Sequence, residues 1–474
     1  MTSTDAKTLS SLTDGLPLSV DRASSETLAA QLRQGLLALI RAGALRPGVR
    51  LPSTRALAAQ LGISRPLVLD TYAQLAAEGF LSLRRGARPV VIGEMVPPRA
   101  KEEAPATPEQ IRFDLRPAIP DLAMFPRQLW LRSLRSVVAK LPANELGYGD
   151  LRGSPVLRRA LADYLGRVRG VIADPASIFV TSGFAEARAL TCAALYTTGV
   201  RALAVEDPSY SDWVAVDKSG LRRTPVPVDE DGLDVSQLAE IAAEAVFVTP
   251  AHQFPIGGVL SAARRGDLVR WLRDRGAFAL EDDYDAEFRY DQAPVGALQG
   301  LAPDRVLYAG TASKTLAPAL RLGWLVVPPE LVETMARELR RWSEGPPRID
   351  QDALADMITS GAYDRHLRKM RRYYRDRRDR LLSCLASALP GLVTEGAAAG
   401  LHVTLRLPGR IDAAGEARIV QHLRRHGVAS EGLGRYSKTC AGPRRLFIGY
   451  GRIADSAIEP SIRIVARAVQ DAAA

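Results

Sequence analysis

One lysine, Lys314, stands in the run YAGTASKTLAPALRLGW (308–324), among Gly310, Thr311 and Ser313, with Arg321 seven positions on. A primary amine can condense with an aldehyde, and hydroxyls beside a guanidinium suit a phosphate. Upstream, AFALEDDYDAEFRY (277–290) offers Asp282 and Tyr284. Alternate residues of a strand share a face, so this carboxylate and this phenol point the same way. A third stretch, IFVTSGFAEARAL (178–190), sets Ser182, Gly183, Phe184 and Ala185 between an apolar run and a helix-forming one. Backbone N–H groups at a helix start, approached through glycine, cradle phosphate. In a fourth, AVEDPSYSDW (204–213), Tyr210 has a ring that can lie flat on another.

Each element alone is commonplace. A lysine in a loop is usually a solvated charge, and a Ser-Gly turn often precedes a helix. Together they match what pyridoxal 5'-phosphate requires: an amine for its aldehyde, a carboxylate that keeps the pyridine nitrogen protonated, and arginine with backbone amides for its phosphate. Two other phosphate-binding patterns, GxxxxGK[ST] and GxGxxG, do not occur. His422 and His426 fall on one helix face without Glu or Cys partners, so no metal site is expected.

These residues need a scaffold. Short β-branched runs at Ile178–Thr181, Ala202–Glu206, Ala245–Thr249, Ala277–Glu281, Arg305–Ala309 and Gly323–Val327 alternate with helical stretches. That alternation predicts an α/β domain, three-layered around a mostly parallel sheet. Lys314 then lies at a strand's C-terminal end, where such sheets build their sites.

The first hundred residues read differently. A helix is expected over about 24–43, followed by a Pro47-Gly48 turn. Ser53 then caps a helix at Thr54–Leu61, which Gly62 ends. Ser64 caps the next, with Pro66 in its first turn, running to about Glu78. Two strands, near Phe80–Leu83 and Pro89–Ile92, flank Arg84-Arg85-Gly86. This is a winged helix-turn-helix pattern for double-stranded DNA. Ser64 and Arg65 would lead the second helix into the major groove, with Ser53 and Arg55 near the start of the preceding helix. Arg84, Arg85 and Arg88 on the hairpin would reach phosphates or the minor groove. The plainer alternative is a small helical domain with surface arginines.

The chain of 474 residues thus divides into a polar, disordered tail (1–20), a head (21–92), a Pro/Glu/Ala-rich linker (93–112) and the α/β domain (113–474). The net charge of +10 suits a polyanionic partner. Three widely spaced cysteines and the lack of an apolar leader or membrane-length run point to the reducing cytoplasm. In HLRKMRRYYRDRRDRLL (366–382), Leu367, Met370, Tyr374 and Leu381 form one stripe. A long helix with a solvated basic face is favoured there over an auxiliary DNA surface.

The segment LPSTRALAAQLGISRPLVLDTYAQLAAEGFL (51–81) resembles the GntR-type winged helix. YGDLRGSPVLRRALADYLGRVRGV (148–171), TPAHQFPIGGVLSAARR (249–265), LEDDYDAEFRY (280–290) and the lysine run resemble a fold-type I aminotransferase domain. The whole chain is similar to the MocR subfamily of GntR regulators, the GabR-type group. The resemblance implies a smaller α+β subdomain and a head-to-tail, domain-swapped homodimer. It implies that Lys314 carries the cofactor as a Schiff base, that Asp282 pairs with the pyridine nitrogen and that Tyr284 bonds the ring hydroxyl. Thr311, Ser313 and Arg321 would hold the phosphate with Gly183, Phe184 and Ala185, and Tyr148 would reach the neighbouring subunit's phosphate.

Departures from the family pattern carry information. Ala185 stands where glutamine is frequent. Phe254 replaces an asparagine before Pro255-Ile256-Gly257, with His252 or Gln253 as compensation. Asp212 replaces an arginine of the GabR type, which would repel a carboxylate and attract an amine. Arg435, with Arg445 in reserve, is the candidate grip for an effector carboxylate. The resemblance implies a transcriptional regulator that senses the cofactor together with an amine or amino acid that displaces Lys314. The alternative is a working aminotransferase with a DNA-binding head.

Overall fold

Serine hydroxyls start both inner helices of the head. Ser53 accepts from Ala56 N at the start of Thr54–Leu61, and Ser64 from Leu67 N at the start of Arg65–Ala77. Such caps are worth about 1 kcal/mol each. Gly62 ends the first of these helices in the left-handed conformation. With Leu28–Arg41 they bury Leu32, Leu36, Ile40, Leu57, Val68, Tyr72 and Leu75 against Leu81 and Val91 of the wing. Ala56 is exposed and Leu61 only half-buried.

The computed structural model describes residues 16–92, 111–290, 295–343, 345–439 and 442–473. These form two units, the head and residues 111–473. The expected disordered tail needs a correction at its end. Leu16 is buried, and its backbone N–H and C=O both bond the Gln60 side-chain amide, so apolar contact and hydrogen bonds order the chain from there. Residues 1–15 and nearly all of the expected linker lie outside the described residues.

In the second unit, eight strands form one sheet in the order 178–181, 323–326, 306–311, 278–283, 245–248, 202–207, 222–229, 232–233. The strands 306–311, 278–283, 245–248, 202–207 and 222–229 run parallel, and Gly323–Val326 opposes both of its neighbours. Ile178–Thr181 and Ala245–Val248 are buried at every position, which explains their apolar sequence. Helices cover the two sides, with Phe184–Thr197 and Val332–Trp342 packed on one core and Ala262–Arg275 on the other. A smaller antiparallel sheet, ordered 394–395, 402–406, 445–449, 431–432, makes the α+β subdomain with Ala413–Arg425 and Ile458–Ala473.

The helix Ala362–Ala388 has the expected apolar stripe, but its basic face is not simply solvated. Arg377 is buried and bonds Asp121, Asp455 and the Gly451 carbonyl. Arg371 donates to the Glu287 carbonyl and Arg375 to that of Tyr290. These guanidiniums tie the helix to both sheets, and only Arg368, Lys369 and Arg372 match the solvated reading without a bond of this kind.

Candidate functional site

Parallel strands end on one edge of the large sheet, and the loops after them enclose a cavity of about 420 Å³. Asp282 and Tyr284 reach it from the strand Phe278–Asp283, and Thr249 follows Ala245–Val248. Thr311, Ser313 and Lys314 follow Val306–Thr311, and Tyr210 comes from the loop after Ala202–Asp207. The period of two separates neighbouring acids. Asp282 faces the cavity, while Asp283 accepts two hydrogen bonds from Arg169 and one from the Tyr308 hydroxyl.

Lys314 Nζ donates to the Ala118 carbonyl at 2.7 Å. Ala118 has φ +56°, a left-handed conformation that strains an alanine, and among the described residues it shares positive φ only with Arg321 and glycines. Both line the cavity. Strain concentrated at one place is a mark of a working site. Burial lowers the Lys314 pKa, although Asp285 and Asp282 pull it up, so the neutral amine is more accessible than on a solvated lysine. Burial, then Asp283, raises the Asp282 pKa well above the ordinary value, and Lys314 opposes this. Asp282 Oδ1 is buried without a hydrogen-bond partner. An unsatisfied carboxylate oxygen in a cavity wall calls for a donor from a ligand.

A second part of the wall is built for an anion. Gly183 precedes Phe184–Thr197 with φ +102°, and a Cβ there would lie 3.2 Å from Arg321 Nη2. The guanidinium therefore packs on the glycine at the helix start. Thr311 Oγ1 donates to Ser313 Oγ at 2.9 Å and accepts from Ser313 N at 3.1 Å, which holds both hydroxyls beside Arg321 in the wall. Phe184 and Ala185 also line it. Ser182 does not belong with them: its amide donates to the Glu186 carboxylate, which caps the helix from within.

Tyr284 OH lies 2.8 Å from His252 Nδ1, and the same nitrogen lies 3.0 Å from each Asp285 oxygen. His252, a candidate to compensate for the missing asparagine at the cofactor, does not line the cavity. It is instead buried behind Tyr284 and orients that phenol. Phe254 meets Tyr284 and Tyr436 edge-on, at 5.7 and 5.2 Å. Tyr210 lines the cavity, and behind it lies Arg188, a residue that sequence reasoning passed over. Its buried guanidinium sits 4.9 Å from the Tyr210 ring, 5.4 Å from Trp213 and 5.8 Å from Phe184, and 3.7 Å from Asp212. A cation under an aromatic face fixes the ring's position.

The remaining candidates divide. Arg435 lines the cavity but pairs with Glu431 at 3.1 Å. Arg445 is not in the wall: Glu395 holds it at 2.9 Å on the small sheet. Tyr148 is fully exposed and far from completing this cavity by itself. In the head, Arg55, Arg65, Arg84, Arg85 and Arg88 are exposed, as a DNA face requires. Ser53 and Ser64 serve as helix caps: each hydroxyl oxygen accepts a backbone N–H, and its own proton is left to donate. His422 and His426 stack at 4.3 Å, and no cluster of metal-binding groups occurs among the described residues.

The comparisons with known proteins follow this division. The family Aminotransferase class I and II matches residues 128–433, and Bacterial regulatory proteins, gntR family, matches residues 28–91. The HTH-type pyridoxine biosynthesis transcriptional regulator PdxR of Corynebacterium glutamicum is 32% identical over 96% of this chain and 98% of its own. The probable rhizopine catabolism regulatory protein MocR of Rhizobium meliloti is 34% identical over 76% of this chain and 77% of its own. Among solved structures, an archaeal alanine:glyoxylate aminotransferase superposes with a TM-score of 0.69 at 24% identity, over 76% of this chain and 91% of that one.

Proposed function

Because this chain belongs to the MocR subfamily, a gntR-type head joined to a class I and II aminotransferase domain, we propose that it is a DNA-binding transcriptional regulator whose larger domain holds pyridoxal 5'-phosphate and senses a small amine. One observation carries the cofactor assignment. Asp282 Oδ1 is buried, unpaired and in the same cavity wall as a lysine of lowered pKa. When bound, the cofactor supplies an aldehyde for an amine and an aromatic ring able to accept electron density.

The protein's own groups supply the rest. Lys314 presents a partly desolvated amine, oriented by the Ala118 carbonyl. Asp282 accepts a proton-bearing nitrogen and holds it charged. Tyr284, steadied by His252 and Asp285, points its phenol at the cavity. Arg321, the Thr311–Ser313 pair and the amides at Gly183, Phe184 and Ala185 take the phosphate. Tyr210 forms the platform for the ring, with Arg188 beneath it.

The fully exposed Tyr148 fits a head-to-tail homodimer in which each subunit lends this phenol to the other's site. Two heads per dimer would read two half-sites. Ligand-driven movement of the lobes would change their spacing, a coupling of about 1–3 kcal/mol in typical systems. No helix among the described residues is long and apolar enough to cross a membrane, and a cytoplasmic location suits the assignment. The curated relatives are named as regulators, which favours this reading over that of a working aminotransferase.

The test is operator binding, using duplexes selected by the purified protein from a random pool. Fluorescence anisotropy should show affinity changing several-fold when pyridoxal 5'-phosphate and an amine are added to wild type, and no change for Lys314→Ala. An identical response in both proteins would refute the assignment.

A further inference from the structure

Resting on that reading of the cavity, the charges that remain in its wall identify the class of amine. With Lys314, Asp282 and Arg321 assigned to the cofactor, the wall keeps three charged side chains: Asp212, Glu431 and Arg435. Arg435 is paired with a carboxylate of the same wall. Its Nε pairs with Glu431 Oε1, and the Tyr436 hydroxyl occupies the other Glu431 oxygen. Asp212 is 55% exposed, accepts from Val214 N at 3.2 Å and faces the buried Arg188 at 3.7 Å. That guanidinium is enclosed by Phe184, Tyr210 and Trp213 and does not reach the cavity wall. The remaining wall therefore holds two carboxylates and one guanidinium, with Arg188 countering Asp212 from behind.

Much of the rest of the wall is aromatic, with Phe184, Tyr210, Phe247, Phe254, Tyr284 and Tyr436. Phe254 packs edge-on against Tyr284 and Tyr436, and the fully buried Phe447 packs against Tyr436 at 5.4 Å. The nearby cation on the same strand, Arg445, is held away by Glu395. A ligand carboxylate placed here would lose its water and face two carboxylates, with Arg435 already paired to one of them. An alkyl or aryl body would bury apolar surface against the rings, and a second ammonium would find Asp212.

We infer that the effector is a small primary amine without a carboxylate, carrying an aromatic or alkyl body, and that Asp212 and the Glu431–Arg435 pair exclude amino acids. The experiment titrates the protein loaded with pyridoxal 5'-phosphate and follows the cofactor's absorbance. It uses matched pairs that differ only by the carboxylate: phenethylamine against phenylalanine, and cadaverine against lysine. Concentrations are compared as free base at one pH, because the amines differ in basicity. The amine of each pair should reach half-saturation at a concentration at least tenfold lower. Asp212→Asn, which keeps the acceptor for Val214 N, should shrink that gap. Folding of this variant is checked by circular dichroism. Equal or tighter response to the amino acids would overturn the inference, as would an intact cofactor band that no amine perturbs. A protein that shows no cofactor band at all fails at the earlier step, the cofactor assignment itself.

Discussion

The Arg321 guanidinium rests on Gly183: a Cβ on that glycine would sit 3.2 Å from Nη2, at φ +102°. The cation and the helix start thus share one small volume, and only glycine leaves room for both. Gly183→Ala should push the guanidinium aside. Affinity for pyridoxal 5'-phosphate, measured by equilibrium dialysis, should fall about tenfold or more, in line with about 1.5–3 kcal/mol for a charged hydrogen bond. Affinity for pyridoxal, which lacks the phosphate, should stay within about twofold. Equal losses for both ligands would place the anion site elsewhere.

Asp282 gives a prediction of opposite signs. Without a ligand, its buried carboxylate is desolvated and one oxygen is unpaired, a condition that costs stability. Asp282→Asn should therefore leave the cofactor-free protein as stable as wild type or more so in urea unfolding. The same change should weaken cofactor binding by about 10–100-fold, because the amide cannot hold a protonated ring nitrogen. Loss of stability together with unchanged binding would show a purely structural aspartate.

Glu206 is buried against the cavity-lining Thr249 and accepts from Thr249 N, Thr249 Oγ1 and Gln253 Nε2. Burial pushes its pKa up to about 7. A carboxyl whose pKa is raised on folding binds more protons in the native state, so it makes stability fall as pH rises from about 4.5 to about 7. Glu206→Gln should remove that slope. Relative to wild type, the variant should gain stability between pH 5 and pH 7.5 in urea titrations. A constant difference across that range would contradict the raised value.

For the head, exposed Arg84, Arg85 and Arg88 on the wing predict phosphate contacts rather than base reading. Replacing all three by alanine should lower the slope of log K against log salt by about 2–3, since each released counterion contributes about 0.9. Preference among operator sequences should persist. Arg65→Ala, at the start of the second inner helix, should instead flatten that preference.

Much of this was readable in the chain. Apolar runs bounded by turn residues place the strand Ile178–Thr181 to the residue, and alternation puts Asp282 and Tyr284 together. The strand Arg222–Asp229 escaped, because Pro225 and Pro227 argue against a strand. It tolerates them because its outer neighbour, Gly232–Leu233, pairs with only its last residues. Arg188 was invisible for another reason. Its role depends on Tyr210 and Trp213, which fold over it from a separate loop. Ala118 carries no signal either, since nothing in an alanine announces a left-handed backbone. His252 is a natural candidate to replace the family's asparagine at the cofactor, whereas the Asp285 carboxylate draws its ring behind Tyr284.

Borohydride reduction of protein incubated with pyridoxal 5'-phosphate, followed by peptide mass mapping, tests the central claim most directly. A pyridoxyl mass on the peptide containing Lys314, and its disappearance in Lys314→Ala, is the predicted result. An unlabelled Lys314 peptide, or label spread equally over surface lysines, would contradict the account.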